Sequence, residues 1–246
     1  MENIQNKKSI DCRTSSFIGK VFLYMFLGLL ITALVSVGVG LLFTECFPFN
    51  YSSESSNQNS YIYIVALISS LFLMFILSFI IRFMSFSKKR LILIPYILYA
   101  ICVGVLGSAF TMFVDFEVIA LSFIAASLTF AIVSLIALTS KRNLNWLFMV
   151  VMCLGIGLSI SCLGNLLFML FLPNLYQIYY WYITIGFIVY MTLITLLDVW
   201  NIRKTADRVD PSNNVALVCA FNLYTDFIMI LLRFIYLFAR LLSKKN

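Results

Sequence analysis

Residues 215–241 read VALVCAFNLYTDFIMILLRFIYLFARL, an apolar run that nevertheless carries Asp226, Arg233 and, near its end, Arg240. A spanning helix needs about 20 mostly apolar residues, so length and hydropathy make this a membrane segment. Its charges set it apart from a plain anchor. An ionised side chain in mid-bilayer costs roughly 2.5–3.5 kcal/mol on insertion scales and normally faces a bundle interior or a water-filled cavity. Asn222, Asp226 and Arg233 fall at i, i+4 and i+11 and so project from one helix face. A stripe with two charges cannot face lipid, which predicts that this segment is surrounded by other helices and lies centrally in a bundle.

The rest of the chain supplies those helices. Apolar segments at 17–43, 62–84, 91–113, 117–139, 144–171 and 176–200 precede it. The first is too long for the apolar core of a signal peptide and lacks a small-residue cleavage site, so it reads as a span. Over the 246 residues, 63% are hydrophobic and 11% charged, whereas a soluble domain carries about a quarter charged residues. The surplus apolar surface can only face lipid. The expected architecture is an all-α membrane protein of seven transmembrane helices over 17–241, with an N-terminal tail (1–16), a short C-terminal tail (242–246) and a polar loop at Ser52–Ser60.

Charge placement orients the bundle. Lys7, Lys8, Arg13 and Lys20 precede or open the first span. Arg82, Lys88, Lys89 and Arg90 follow the second, Lys141 and Arg142 the fourth, and Arg203, Lys204 and Arg208 the sixth. The other loops carry Glu45, Glu54, Asp115 and Glu117. Basic loops stay cytoplasmic, so the N-terminus is expected on the cytoplasmic side of a plasma membrane of bacterial type. The net charge of +7 is therefore topogenic and implies no nucleic-acid partner. Seven crossings place Arg240, Lys244 and Lys245 outside, against the rule. Either the last segment crosses regardless, as its length favours, or it re-enters and the tail returns to the cytoplasm. Tyr176, Tyr179, Tyr180, Trp181 and Tyr182 at one end of span six, and Trp146 and Trp200 at inner ends, read as an interfacial aromatic belt.

Two absences narrow the chemistry. The chain has no histidine, which removes Ser-His-Asp catalysis and His-ligated zinc. Its six cysteines (12, 46, 102, 153, 162 and 219) show no CxxC spacing and read as small packing residues. No catalytic residue and no bound cofactor is expected.

Small and polar residues recur every four positions in span one (Lys20, Tyr24, Gly28, Thr32, Ser36, Gly40). Span five repeats the pattern at Gly157, Ser161 and Gly164, and span four at Ser122, Ala126 and Thr129. Span three adds Gly104, Gly107, Ser108 and Thr111. Such stripes let helix backbones approach closely, and a pore lining is the second reading. In span six Thr195, Asp198 and Asn201 make a shorter polar stripe, with Arg203 and Lys204 beyond it able to snorkel. Asp198 and Asp226, on consecutive helices, form a candidate pair that can share one proton or one cation. Separate structural hydrogen bonds are the alternative.

At these residues the sequence resembles the Bax inhibitor motif family of seven-helix membrane proteins. Leu197-Asp198-Val199-Trp200-Asn201-Ile202-Arg203-Lys204 is similar to the family's aspartate segment. Asn222-Leu223-Tyr224-Thr225-Asp226-Phe227 with Leu231-Leu232-Arg233-Phe234 is similar to its last-helix signature. Weaker agreement at 17–32, at Tyr99, Gly104 and Gly107, and at 139–142 extends the resemblance along the chain. It implies a pH-sensitive calcium leak with Asp198 and Asp226 as sensor, and cytoprotective roles. Arg82 is implied as an arginine that engages the pair, with a topogenic charge as its plain reading. Span two lacks an acidic residue that some members carry, and Asn143 stands where an Asp often follows the Lys-Arg.

Three functions compete at this point. One is a proton-gated cation leak whose partners are the lipid bilayer, calcium and protons, with Arg82, Asn222 and Arg233 as gating or polar-stripe candidates. Another is a non-conducting regulator of stress responses or membrane proteases that contacts other membrane proteins. The third is an intramembrane aspartyl protease, which also places aspartates on consecutive helices. There the second aspartate follows Gly-x-Gly, whereas Asp226 follows Leu223-Tyr224-Thr225.

Overall fold

The computed structural model describes residues 2–46, 54–84, 92–140, 143–171, 173–208 and 213–243. These form seven α-helices: α1 (Glu2–Cys46), α2 (Glu54–Met84), α3 (Leu93–Phe113), α4 (Phe116–Thr139), α5 (Asn145–Phe171), α6 (Pro173–Arg208) and α7 (Asn213–Ser243). Each is long and apolar enough to cross a membrane, and the described residues contain no strand. The all-α, seven-span expectation holds.

Local chemistry sets the boundaries. α3 ends where Val114 turns extended, its N–H held by the Phe110 carbonyl at 2.9 Å, and the Asp115 carbonyl receives the Val118 N–H at 3.0 Å to open α4. Pro173 opens α6, where a missing N–H costs nothing. Three boundaries differ from the sequence reading. α6 runs on past Trp200 to Arg208, because hydropathy falls there while no helix breaker intervenes before Pro211. Glu54–Ser60, read as polar loop, is helical and opens α2, since polarity ends a span without ending a helix. α1 likewise begins at Glu2, ahead of the apolar stretch. Lys88, Lys89, Arg90, Lys141, Arg142, Lys244 and Lys245 lie outside the described residues.

The chain forms two compact units, Met1–Ile119 with Val209–Tyr224, and Ala120–Arg208 with Thr225–Asn246. In the first, α1 lies against α3 along the four-residue stripe. A Cβ on Gly104 would sit 2.7 Å from Val35 Cβ and 2.9 Å from the Thr32 carbonyl oxygen; one on Gly107 would meet Ser36 Oγ at 3.0 Å. Gly40 faces Thr111, and Gly28 faces the Tyr96 hydroxyl. That hydroxyl donates to the Tyr24 carbonyl at 2.9 Å. α2 joins through Tyr63, whose hydroxyl hydrogen-bonds Ser108 Oγ at 3.1 Å. The first half of α7 packs Phe221 and Tyr224 edge-on against Tyr99, with centroids 4.9 and 6.0 Å apart. The packing reading of these stripes is therefore correct for α1 and α3.

In the second unit, Leu147 and Val151 of α5 pack with Leu197 of α6, flanked by Leu193 and Ile194. The stripe read on α5 is displaced here: Gly157 faces open space, while Gly155 seats the Tyr190 ring and Gly164 touches Tyr179. Ser122 and Ala126 of α4 are fully buried, as expected. Phe123 and Phe130 of α4 meet Phe227 of α7 edge-on, at 5.7 and 5.8 Å. Of the most apolar window in each span, 50% is buried in α7 but 11% in α2 and α5, so the latter two leave most of their apolar surface outside the packed interior of the described residues. Cys102 is buried, Cys219 half-buried, Cys153 and Cys162 exposed, none of these four in a disulfide.

Candidate functional site

Asp198 and Asp226 both belong to the second unit, one on α6 and one on α7. Asp226 is 7% exposed and is followed by Phe227, whose contacts with Phe123 and Phe130 fix the rotation of α7 at this level. Its Oδ2 is closed off and accepts no hydrogen bond from the described residues, while the residue as a whole has interactions of its own. Asp198 is half-buried between the buried side chains of Leu197 and Val199 and likewise has interactions of its own. Thr195, one turn before it, is fully buried, and its hydroxyl is spent on the Met191 carbonyl at 2.9 Å. Asn201, the third member of that stripe, is exposed. No group of three or more Cys, Asp or Glu side chains that could hold a metal ion gathers among the described residues.

The other candidates fall elsewhere. Asn222 is half-buried in the first unit, and Arg82 is exposed in the last turn of α2, also in the first unit. Arg233 is half-buried in the second unit with its guanidinium carbon 4.1 Å from the centre of the Phe187 ring. Its Nη1 donates to the Tyr180 hydroxyl at 3.3 Å.

Two arrangements escaped the sequence. Arg203, which its place past the polar stripe makes able to snorkel, donates through Nη1 to the carbonyls of Leu138 and, at 3.1 Å, Ser140. It thereby satisfies orphan carbonyls at the end of α4 and complements that helix's dipole. Lys204, beside it, sits 4.8 Å over the Trp200 ring. In the first unit Thr32 Oγ1 lies within bonding distance of the Gly28 carbonyl (2.9 Å), the Ala100 carbonyl (3.2 Å) and the Tyr224 hydroxyl (2.5 Å). A threonine hydroxyl has one proton. Since two carbonyls can only accept, Tyr224 serves as donor to Thr32 while Thr32 donates to a carbonyl. The bond joins α1, α3 and the first half of α7 two residues before Asp226. Its one sequence signal is that Thr32 lies on the small-residue stripe.

Comparison with known proteins agrees with the last-helix motif. Residues 14–243 match the model of the family described as inhibitor of apoptosis-promoting Bax1. No curated protein matches the chain. With seven helices long and apolar enough to cross a membrane and a match over nearly its whole length, the chain belongs to the Bax inhibitor-1 family of membrane proteins.

Proposed function

We propose that this protein is a pH-sensitive cation leak, with calcium as the permeant ion and Asp198 and Asp226 as the proton sensor. The observation that carries the reading is the burial of Asp226 in the same compact unit as Asp198. Two neighbouring carboxylates cannot both ionise cheaply. Sharing a proton, they hold α6 and α7 together; losing it adds a second negative charge, loosens that closure and offers oxygens to a hard cation. Two carboxylates supply about four of the six to eight oxygens that calcium prefers, so binding is weak enough for release. In this reading the N-terminus is cytoplasmic, the bilayer is a plasma membrane of bacterial type, and no enzymatic step or resident cofactor is involved.

The test is calcium entry into proteoliposomes containing the purified protein, measured against pH. Flux is expected to rise with pH, and Asp226→Asn or Asp198→Asn to flatten that dependence. An unchanged profile in both variants defeats the sensor. The non-conducting alternative draws on the exposed Gly157 of α5, a small residue with open space in front of it that suits a partner helix. Loss of cellular function on Gly157→Leu, with both aspartate variants silent, favours that alternative.

A further inference from the structure

The exposed face of α5 carries a groove in which neither aspartate takes part. It holds about 320 Å³ and is lined by Gly155, Ser159 and Tyr190, with the exposed side chains of Met152, Ile156 and Ile160 along it. Gly155 creates it. A Cβ at that position would stand 2.8 Å from the Tyr190 hydroxyl, so the missing methyl lets this α6 side chain reach the α5 backbone.

Two polar atoms of opposite capacity meet there. Ser159 gives its proton to the Gly155 carbonyl at 2.8 Å, which leaves its Oγ as an acceptor. The Tyr190 hydroxyl has a proton to give, and among the described residues no hydrogen bond engages it. α5 carries no charged residue, and α6 none before Asp198. The middle of α5 therefore runs through hydrocarbon, where acyl chains hold no acceptor for a phenol and an unmet hydroxyl is costly.

A second copy of this chain supplies what lipid lacks. Copies inserted with one topology present the groove at one depth, whatever that depth is. A two-fold axis along the membrane normal then sets groove against groove, and in such an interface each donor meets the other copy's acceptor. The two atoms are close in level as this requires: the Ser159 oxygen rests on the Gly155 carbonyl, and the Tyr190 hydroxyl stands where the Gly155 methyl is missing.

We propose that two copies of the protein pair through the α5 groove, joined by crossed hydrogen bonds from Tyr190 of each to Ser159 of the other. The pairing is independent of the leak and of the aspartates. Its test is Förster transfer between donor- and acceptor-labelled copies of the full chain in liposomes, diluted stepwise with lipid. Transfer is expected to fall along a monomer–dimer curve. Tyr190→Phe keeps the ring and removes both crossed bonds, which predicts pairing about tenfold weaker; Ser159→Ala should match it. Ile156→Trp, an exposed position beside the groove, should abolish pairing, while Phe75→Trp on the exposed face of α2 should leave it intact. Transfer no greater than chance proximity at every dilution leaves the groove to lipid or to another protein and overturns the proposal. Undiminished pairing in Tyr190→Phe or in Ile156→Trp also overturns it. So does an equal loss in Phe75→Trp, which would trace the effect to added bulk on any exposed helix.

Discussion

In the first unit Gly104 lets two helix backbones meet, with the Thr32 carbonyl and Val35 Cβ both inside the space a methyl group would fill. In the second, Gly155 makes room for a side chain, the Tyr190 ring, whose hydroxyl would lie 2.8 Å from an added Cβ. Gly157, two residues on, has no atom of the described residues within 4 Å of where a Cβ would stand. The three share a composition and differ in what stands opposite. A backbone cannot yield, a tyrosine tip can swing aside, and lipid simply flows. In a bilayer, where burial supplies little contrast between protein and surroundings, such steric detail and a few polar bonds specify which faces pair.

Four substitutions test what stands opposite such residues. Gly104→Leu should have the largest effect: overpacking between α1 and α3 costs about 3 kcal/mol, seen as a markedly lower melting temperature in detergent micelles. A variant that melts with the parent would mean that the helices separate freely at this level. Arg203→Gln comes next. Losing charge-assisted bonds to the end of α4 should cost about 2 kcal/mol, and Arg203→Lys should recover part of it. Thr32→Val leaves the buried Tyr224 hydroxyl without its acceptor and should cost about 1 kcal/mol. Adding Tyr224→Phe should return some of that loss in a double-mutant cycle. Gly157→Ala, smallest of all, should stay within about 0.5 kcal/mol of the parent; a large loss would show that α5 packs where open space now stands.

The spans were legible because lipid demands long apolar runs, and each run lies inside or against one of the seven helices, three of which continue well beyond it into polar sequence. The stripe on α1 was legible too, since Gly28, Thr32, Ser36 and Gly40 all face α3 or its neighbours. On α5 the same spacing served only in part, since Gly164 touches Tyr179 while Gly157 faces open space. Lipid-facing residues are as apolar as packed ones, so periodicity there selects a face without saying what covers it. The hold of Arg203 on α4 joins residues 65 apart in sequence, a separation that charge patterning alone reads as a topogenic residue. For the aspartates, the sequence supplied the helices and the shared polar face of α7, while the burial of Asp226 and the part-exposure of Asp198 needed three dimensions.

α7 contributes Phe221 and Tyr224 to one unit and Phe227, Arg233 and Tyr236 to the other. It also follows the other six helices in chain order, so during synthesis both units wait for it. Until it inserts, Thr32 lacks its phenol donor, and Phe123 and Phe130 lack the ring they pack against. Chains cut short before Asn213 would thus reach the membrane with both halves unfinished. Folding surveillance would find two unsealed seams on every such product.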